Sequence, residues 1–170
     1  GYVFASVFGR GIYASRDNGR SWELENSGLN TPYIFSVVAN SEGVLFAGTF
    51  DGQISGISYG HGVFRSTDSG SSWIPTNNGI SSNWINKLAI NPVNNDLYAA
   101  GLNSNAVYKS SGNGNNWTKV IDEQTANAFT FNSNGDVFAA IYNSGIYRSS
   151  NNGMSWISVS SGLPAGPVLK

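Results

Sequence analysis

The chain has 170 residues, enough for one domain with its own core. Charged residues make up 11% of it, below the roughly 25% of an ordinary soluble domain, and the formal net charge of −1 gives no general attraction to nucleic acid or anionic lipid, so neither partner is expected. With no cysteine, disulfides and thiolate metal sites are excluded, and no apolar run approaches the roughly 18 residues of a membrane-spanning helix.

The opening GYVFASVFG reads as the middle of a strand pattern, not as a leader. The runs YVFASVF (2–8), VLFAGTF (44–50), DLYAAGL (96–102) and DVFAAIY (136–142) are followed by GIYAS (11–15), GVFRS (62–66), AVYKS (106–110) and GIYRS (145–149). All are short, aromatic and β-branched, with Gly and Asn at their borders, which predicts strands joined by hairpins. A further strand precedes three of these pairs: YIFSVVA (33–39), INKLAI (85–90) and ANAFTF (126–131). No stretch sustains helical periodicity, so almost no helix is predicted.

Each pair runs into one box of eight residues: SRDNGRSW (15–22), STDSGSSW (66–73), SSGNGNNW (110–117) and SSNNGMSW (149–156). The tryptophans Trp22, Trp73, Trp117 and Trp156 are spaced 51, 44 and 39 residues apart, in the range of propeller blades. The predicted fold is therefore all-β, a β-propeller of about four blades, each a four-stranded antiparallel sheet with strands A to D. The blades run approximately over residues 2–32, 33–83, 84–125 and 126–163. The first enters at strand B, and residues 167–170 are expected to supply its missing strand A, closing the chain ends on each other. A ring left open would instead bare apolar faces and predict pairing with a second copy.

The box is predicted to be the tight turn from C to D. Asp17 or Asp68 accepts hydrogen bonds from turn N–H groups, Gly19, Gly70, Gly114 and Gly153 take positive φ, and the tryptophans pack between blades. Ser15, Ser66, Ser110 and Ser149 open the four copies. Gly112 and Asn151 stand where the first two copies have Asp, so the charge is dispensable and the box is structural.

The pattern Ser-x-Asp-x-Gly-x-Ser-Trp resembles the Asp-box, or BNR, repeat over nearly the whole chain. The resemblance implies a propeller like those of sialidases, sortilin-type receptors, xyloglucan-degrading glycosidases, photosystem assembly factors and secreted bacterial repeat proteins. It also implies an extracellular or cell-surface location.

The B/C and D/A connections are expected to share one face, opposite the boxes. The second blade carries an insertion there, DGQISGISYGHG (51–62). Asp51, Gln53, Tyr59 and His61 from it, with Arg10, Tyr33, Trp84 and Asn143 from neighbouring connections, are the candidate ligand-binding residues; Asn30, Asn103, Asp122 and Glu123 lie on the same face. Aromatic rings beside amides suit a sugar, whose ring face stacks while its hydroxyls hydrogen-bond.

No complete catalytic set is recognised. The resemblance to sialidases implies three arginines around a carboxylate, and of the five arginines only Arg10 is expected on the loop face. A two-carboxylate pair would need Asp51 with Asp122 or Glu123. One histidine cannot provide paired metal ligands, and no metal or other cofactor is expected. The expected role is a non-catalytic module that binds a carbohydrate or protein. The alternatives are a fragment of a sialidase-like or other glycoside hydrolase, and a scaffold like the photosystem assembly factors.

Overall fold

Short runs that are apolar on both faces must pair edge to edge and then stack face to face, because neither face can be left to water. A computed structural model of the chain describes residues 1–50, 53–54, 57–58, 61–102, 104–164 and 166–168. These form strands and, among the described residues, no helix.

The first blade holds β1 (Val3–Val7), β2 (Gly11–Ser15) and β3 (Glu23–Leu24). The second holds β4 (Ile34–Ala39), β5 (Leu45–Thr49), β8 (Val63–Ser66) and β9 (Ile74–Pro75), with a small hairpin of β6 (Gln53–Ile54) and β7 (Ile57–Ser58) inserted between β5 and β8. The third holds β10 (Ile85–Ile90), β11 (Leu97–Gly101), β12 (Ala106–Ser110) and β13 (Thr118–Ile121). The fourth holds β14 (Ala126–Phe131), β15 (Val137–Ile141), β16 (Gly145–Ser149) and β17 (Ile157–Ser158). In each blade the strands pair antiparallel in chain order. β4 packs beside β10 and β10 beside β14, so the A strands are innermost. The molecule is an all-β, four-bladed stretch of a β-propeller.

Among the described residues the first blade has three strands. Of the residues 167–170 expected to supply its fourth strand, 167 and 168 form no strand, and the Val168 carbonyl accepts a hydrogen bond from Asn127 Nδ2 on β14 at 2.9 Å. Val168 lines a hollow on the fourth blade with Ala128, Phe138 and Ile146. Residues 169–170 lie outside the described residues.

Side chains alternate between the two faces of every sheet. Between the first two blades are buried Ile12, Ile34, Leu45, Ala47 and Phe64, with Phe4 packed against them. Phe46 faces Leu88, Leu97, Ala99 and Tyr108 across the second boundary, and Tyr98 meets Val137, Ala139 and Ile141 at the third. Phe4, Phe46, Tyr98 and Phe138 hold the same place in the four B strands.

The boxes are the C to D turns. Asn18 and Gly19, Ser69 and Gly70, Asn113 and Gly114, and Asn152 and Gly153 all have positive φ. In the first box Asp17 Oδ1 accepts from the amides of Arg20 and Ser21, both at 2.9 Å, and from Ser15 Oγ at 2.8 Å. Ser15 Oγ in turn accepts from the Gly19 amide at 2.7 Å. Asp68 repeats the bonds to Ser66 and Ser72. Asn151 reproduces them in the fourth box, accepting from Ser149 Oγ and from the Ser155 amide. The hydroxyls and amides around Asp17 and Asp68 hold both carboxyls down at about 2.

Candidate functional site

The loop face is organised by a bulge repeated in each of the three A strands. Register slips between Ile34 and Ser36, between Ile85 and Lys87, and between Ala126 and Ala128, leaving Phe35, Asn86 and Asn127 unpaired at equivalent places. A bulge of this kind re-aims the extra side chain. Phe35 is turned out and exposed, and Asn86 buries an Oδ1 that has no hydrogen-bond partner among the described residues.

The residues that follow the first two B strands, Phe8 and Phe50, come up beside Phe35. Phe8 lies 5.5 Å from Phe35, 5.2 Å from Tyr33 and 5.8 Å from Phe50, ring centre to ring centre. Phe50 stands edge-on to Trp84 at 4.8 Å, and Phe35 is 5.5 Å from Phe50 and 6.2 Å from Trp84. Five aromatic side chains from three blades thus form one continuous platform. Backbone hydrogen bonds fix its members: the Phe50 amide donates to the Tyr33 carbonyl, and the Leu102 amide to the Trp84 carbonyl, both at 2.9 Å. The Trp84 indole N–H is buried without a partner among the described residues. Phe8 and Phe35 stay exposed, and with Ser6 and Ile34 they line an open depression of about 480 Å³.

The structure brings Tyr33 and Trp84 together as part of this platform; among the described residues, His61, Asn143 and Arg10 are held in turns. His61 is bound into its turn, its amide donating to Thr49 Oγ1 at 3.1 Å and its carbonyl accepting from Asn77 Nδ2 at 2.7 Å, while its ring stands edge-on to Phe64. Asn143 holds a positive φ in the hairpin between β15 and β16, and Arg10 closes the β1 to β2 turn through its amide. Asp51, Tyr59 and Asn103 lie outside the described residues, and Gln53 is described only as part of β6. Asp122 accepts from Lys119 Nζ at 2.9 Å and from the Glu123 amide at 3.0 Å. The Lys119 ammonium holds its carboxyl below the ordinary Asp value, so it stays ionised near neutrality, unlike a general acid.

Phe8, Phe35 and Phe50 were not singled out by sequence. The signal existed: Phe8 and Phe50 occupy one aligned position at the ends of YVFASVF and VLFAGTF. Phe35 could not be found that way, because strict alternation from Ile34 assigns it a face that the bulge then changes.

Of the remaining arginines, Arg65 donates to the Asn113 carbonyl and Asn115 Oδ1 of the next box, and Arg148 pairs with Asp136 at 2.5 Å. Arg16 pairs with Glu23 and Glu25 in the first blade. These are interblade and strand contacts on the side of the boxes, away from the platform.

No protein-family model matches the chain, and no curated protein does. Solved structures with the same fold include an ancestral GH74 enzyme, at TM-score 0.72 and 23% identity over 91% of this chain and 22% of that one. The extracellular domain of BT4673 from B. thetaiotaomicron superimposes at TM-score 0.71 with 13% identity over 97% of this chain and 22% of that one. YCF48 from Cyanidioschyzon merolae does so at 0.60 and 15% identity over 91% and 54%; YCF48 has also been solved bound to D1 peptide. The chain therefore spans about a fifth of the first two proteins and about half of the third. At these identities the likeness is one of fold.

Proposed function

We propose that this chain is a non-catalytic propeller module of the Asp-box, or BNR, type that binds a neutral carbohydrate on its loop face, in an extracellular or cell-surface setting. The observation that carries the reading is the platform of Phe8, Tyr33, Phe35, Phe50 and Trp84, with Phe8 and Phe35 open to solvent. Exposed aromatic faces stack on the C–H faces of a sugar ring, and polar side chains at the rim take its hydroxyls. The low charge of the chain suits an uncharged ligand over an acidic one. The recurrence of the box geometry in four copies supports the repeat type, and the extracellular domain among the structural neighbours supports the setting.

A second reading, a peptide partner, is favoured by the peptide-bound YCF48 structure. Titration with a panel of neutral oligosaccharides, followed by tryptophan fluorescence through Trp84, separates the two. Saturable change with sugars supports the first. No response to any sugar, together with capture of an extended apolar peptide, would replace it with the second.

A further inference from the structure

The four boxes share one hydrogen-bonding design, and the third differs from the rest in a single part. The side chain at the third position of the box is Asp17, Asp68 or Asn151 in three copies and Gly112, with no side-chain oxygen, in the other. Where the oxygen is present, it accepts from the hydroxyl of the opening serine, Ser15, Ser66 or Ser149, at 2.8, 2.7 and 2.9 Å. The same oxygen accepts from the amide of the residue before the tryptophan, Ser21, Ser72 or Ser155, at 2.9, 2.9 and 3.0 Å. The second oxygen of each aspartate takes the side-chain hydroxyl of Ser21 or Ser72.

The third box keeps these donors. Ser110 is 1% exposed and accepts from the Gly112 and Gly114 amides at 3.4 and 3.1 Å, but its own hydroxyl has no acceptor among the described residues. A buried hydroxyl proton is ordinarily satisfied. The Asn116 amide, equivalent to those of Ser21, Ser72 and Ser155, also lacks an acceptor among the described residues. Asn116 Oδ1 accepts from Asn78 Nδ2 at 2.5 Å, which leaves Asn116 Nδ2 to donate.

The backbone leaves room for an acceptor. Gly112 is not at positive φ, and among the described residues nothing lies within 4 Å of a Cβ built on it. Gly112 and Asn116 form one wall of an open hollow of about 610 Å³ between the third and fourth blades, with Lys109, Thr118, Lys119 and Met154 around it. Lys109 pairs with Asp96 at 2.7 Å and Lys119 with Asp122 at 2.9 Å, and among the described residues that line the hollow none is acidic. Glu42 touches the box through Asn113 Nδ2 at 3.0 Å, and Asn113 is not part of that wall.

We propose that the third box is a binding site for a carboxylate ligand, whose carboxyl group takes the place that the Asp17 and Asp68 side chains fill in their own boxes. One oxygen accepts from Ser110 Oγ and the Asn116 amide, the other from Asn116 Nδ2, and the rest of the ligand lies in the hollow beside Lys109 and Lys119. The donor set is the one that holds Asp17 and Asp68 ionised, with carboxyls at about 2. The site is on the side of the boxes, away from the aromatic platform, and does not depend on what the platform binds.

The test follows backbone amides by NMR on the isotope-labelled chain while sodium acetate replaces sodium chloride at constant ionic strength and neutral pH. Acetate is the probe because its methyl and carboxyl copy an aspartate side chain. Over roughly 1 to 300 mM, the range expected for so small a ligand, the Asn116 amide is expected to shift saturably. The amides of Ser21, Ser72 and Ser155, already bonded within their boxes, are expected to stay still. Gly112→Asp tethers a carboxylate to the same donors and is expected to raise the melting temperature and abolish the acetate response. Gly112→Ala puts a methyl where that of acetate would lie and is expected to weaken the response by about tenfold or more. An Asn116 amide that moves no more than the three control amides, an equal shift with sulfate, or a response that survives both substitutions would overturn the proposal.

Discussion

The indole N–H of Trp73 donates to the carbonyl of Glu25 at 3.0 Å, across the boundary between the first and second blades. The ring is nearly fully buried there. One side chain thus supplies apolar bulk to the boundary and satisfies a carbonyl that no strand partner reaches. Trp73→Phe keeps most of the bulk and is expected to cost about 1 kcal/mol for the lost hydrogen bond. Trp73→Ala also opens a cavity and is expected to cost about 3–5 kcal/mol. Urea unfolding of both variants checks the ratio; equal losses would mean that packing carries the whole effect.

Gly28 and Gly43 have the same backbone sign, φ 85° and 80°, and opposite surroundings. Among the described residues a Cβ on Gly43 meets nothing within 4 Å, and one on Gly28 falls on the Trp73 carbonyl. Gly43→Ala is therefore expected to cost only backbone strain, about 1–2 kcal/mol. Gly28→Ala adds separation of two blades and is expected to exceed about 4 kcal/mol. Thermal melts of the two, compared at one concentration, isolate the boundary contribution.

These two glycines show how far the sequence could be read. The box, its positive-φ glycine and its tryptophan repeat at fixed offsets, so the four units and their strands were legible from the letters. Gly28 and Gly79 also repeat, but their meaning lies in a neighbouring blade, where no local rule points. Asn26, Asn77 and Ser160 were hidden for a different reason: each side-chain oxygen accepts from an amide at the start of the C strand of its own blade, at Ile12, Val63 and Ile146, 14 residues back in the chain, and one of the three is a serine. On the loop face, Tyr33 and Trp84 were found as aromatics near strand ends. Phe35 was not, since a bulge turned it, and the His61 backbone is tied into its turn through Thr49 and Asn77.

Asp17 and Asp68 tie stability to acid pH. Their folded pKa values, about 2, lie below the ordinary Asp value because serine hydroxyls and turn amides bond to the ionised form. A lowered folded value stabilises above the unfolded pKa of about 4 and loses that contribution as pH falls towards 2. The melting temperature is expected to be flat in this respect from pH 7 to about 4 and to decline below it. Asn151 makes equivalent bonds without titrating, so the double variant Asp17→Asn with Asp68→Asn is expected to shallow the decline. Melts at pH 3 and pH 6 check this, the remaining acid slope being assigned to Asp136 and Asp122, whose values are also lowered by Arg148 and Lys119.

Phe8 and Phe35 are exposed on the platform while Phe50 and Trp84 support them from below. A stacking surface and a core residue respond differently to truncation. Phe8→Ala and Phe35→Ala remove exposed ring faces and are expected to weaken sugar binding by about tenfold or more, with the melting temperature nearly unchanged. Phe50→Ala removes the ring on which both rest and is expected to lower affinity and stability together. Calorimetric titration and thermal melts on the same samples distinguish the two patterns. Were Phe8→Ala and Phe35→Ala to lower stability and leave binding intact, the platform would be part of the packing between blades and the ligand would have to be sought at the 51–62 insertion.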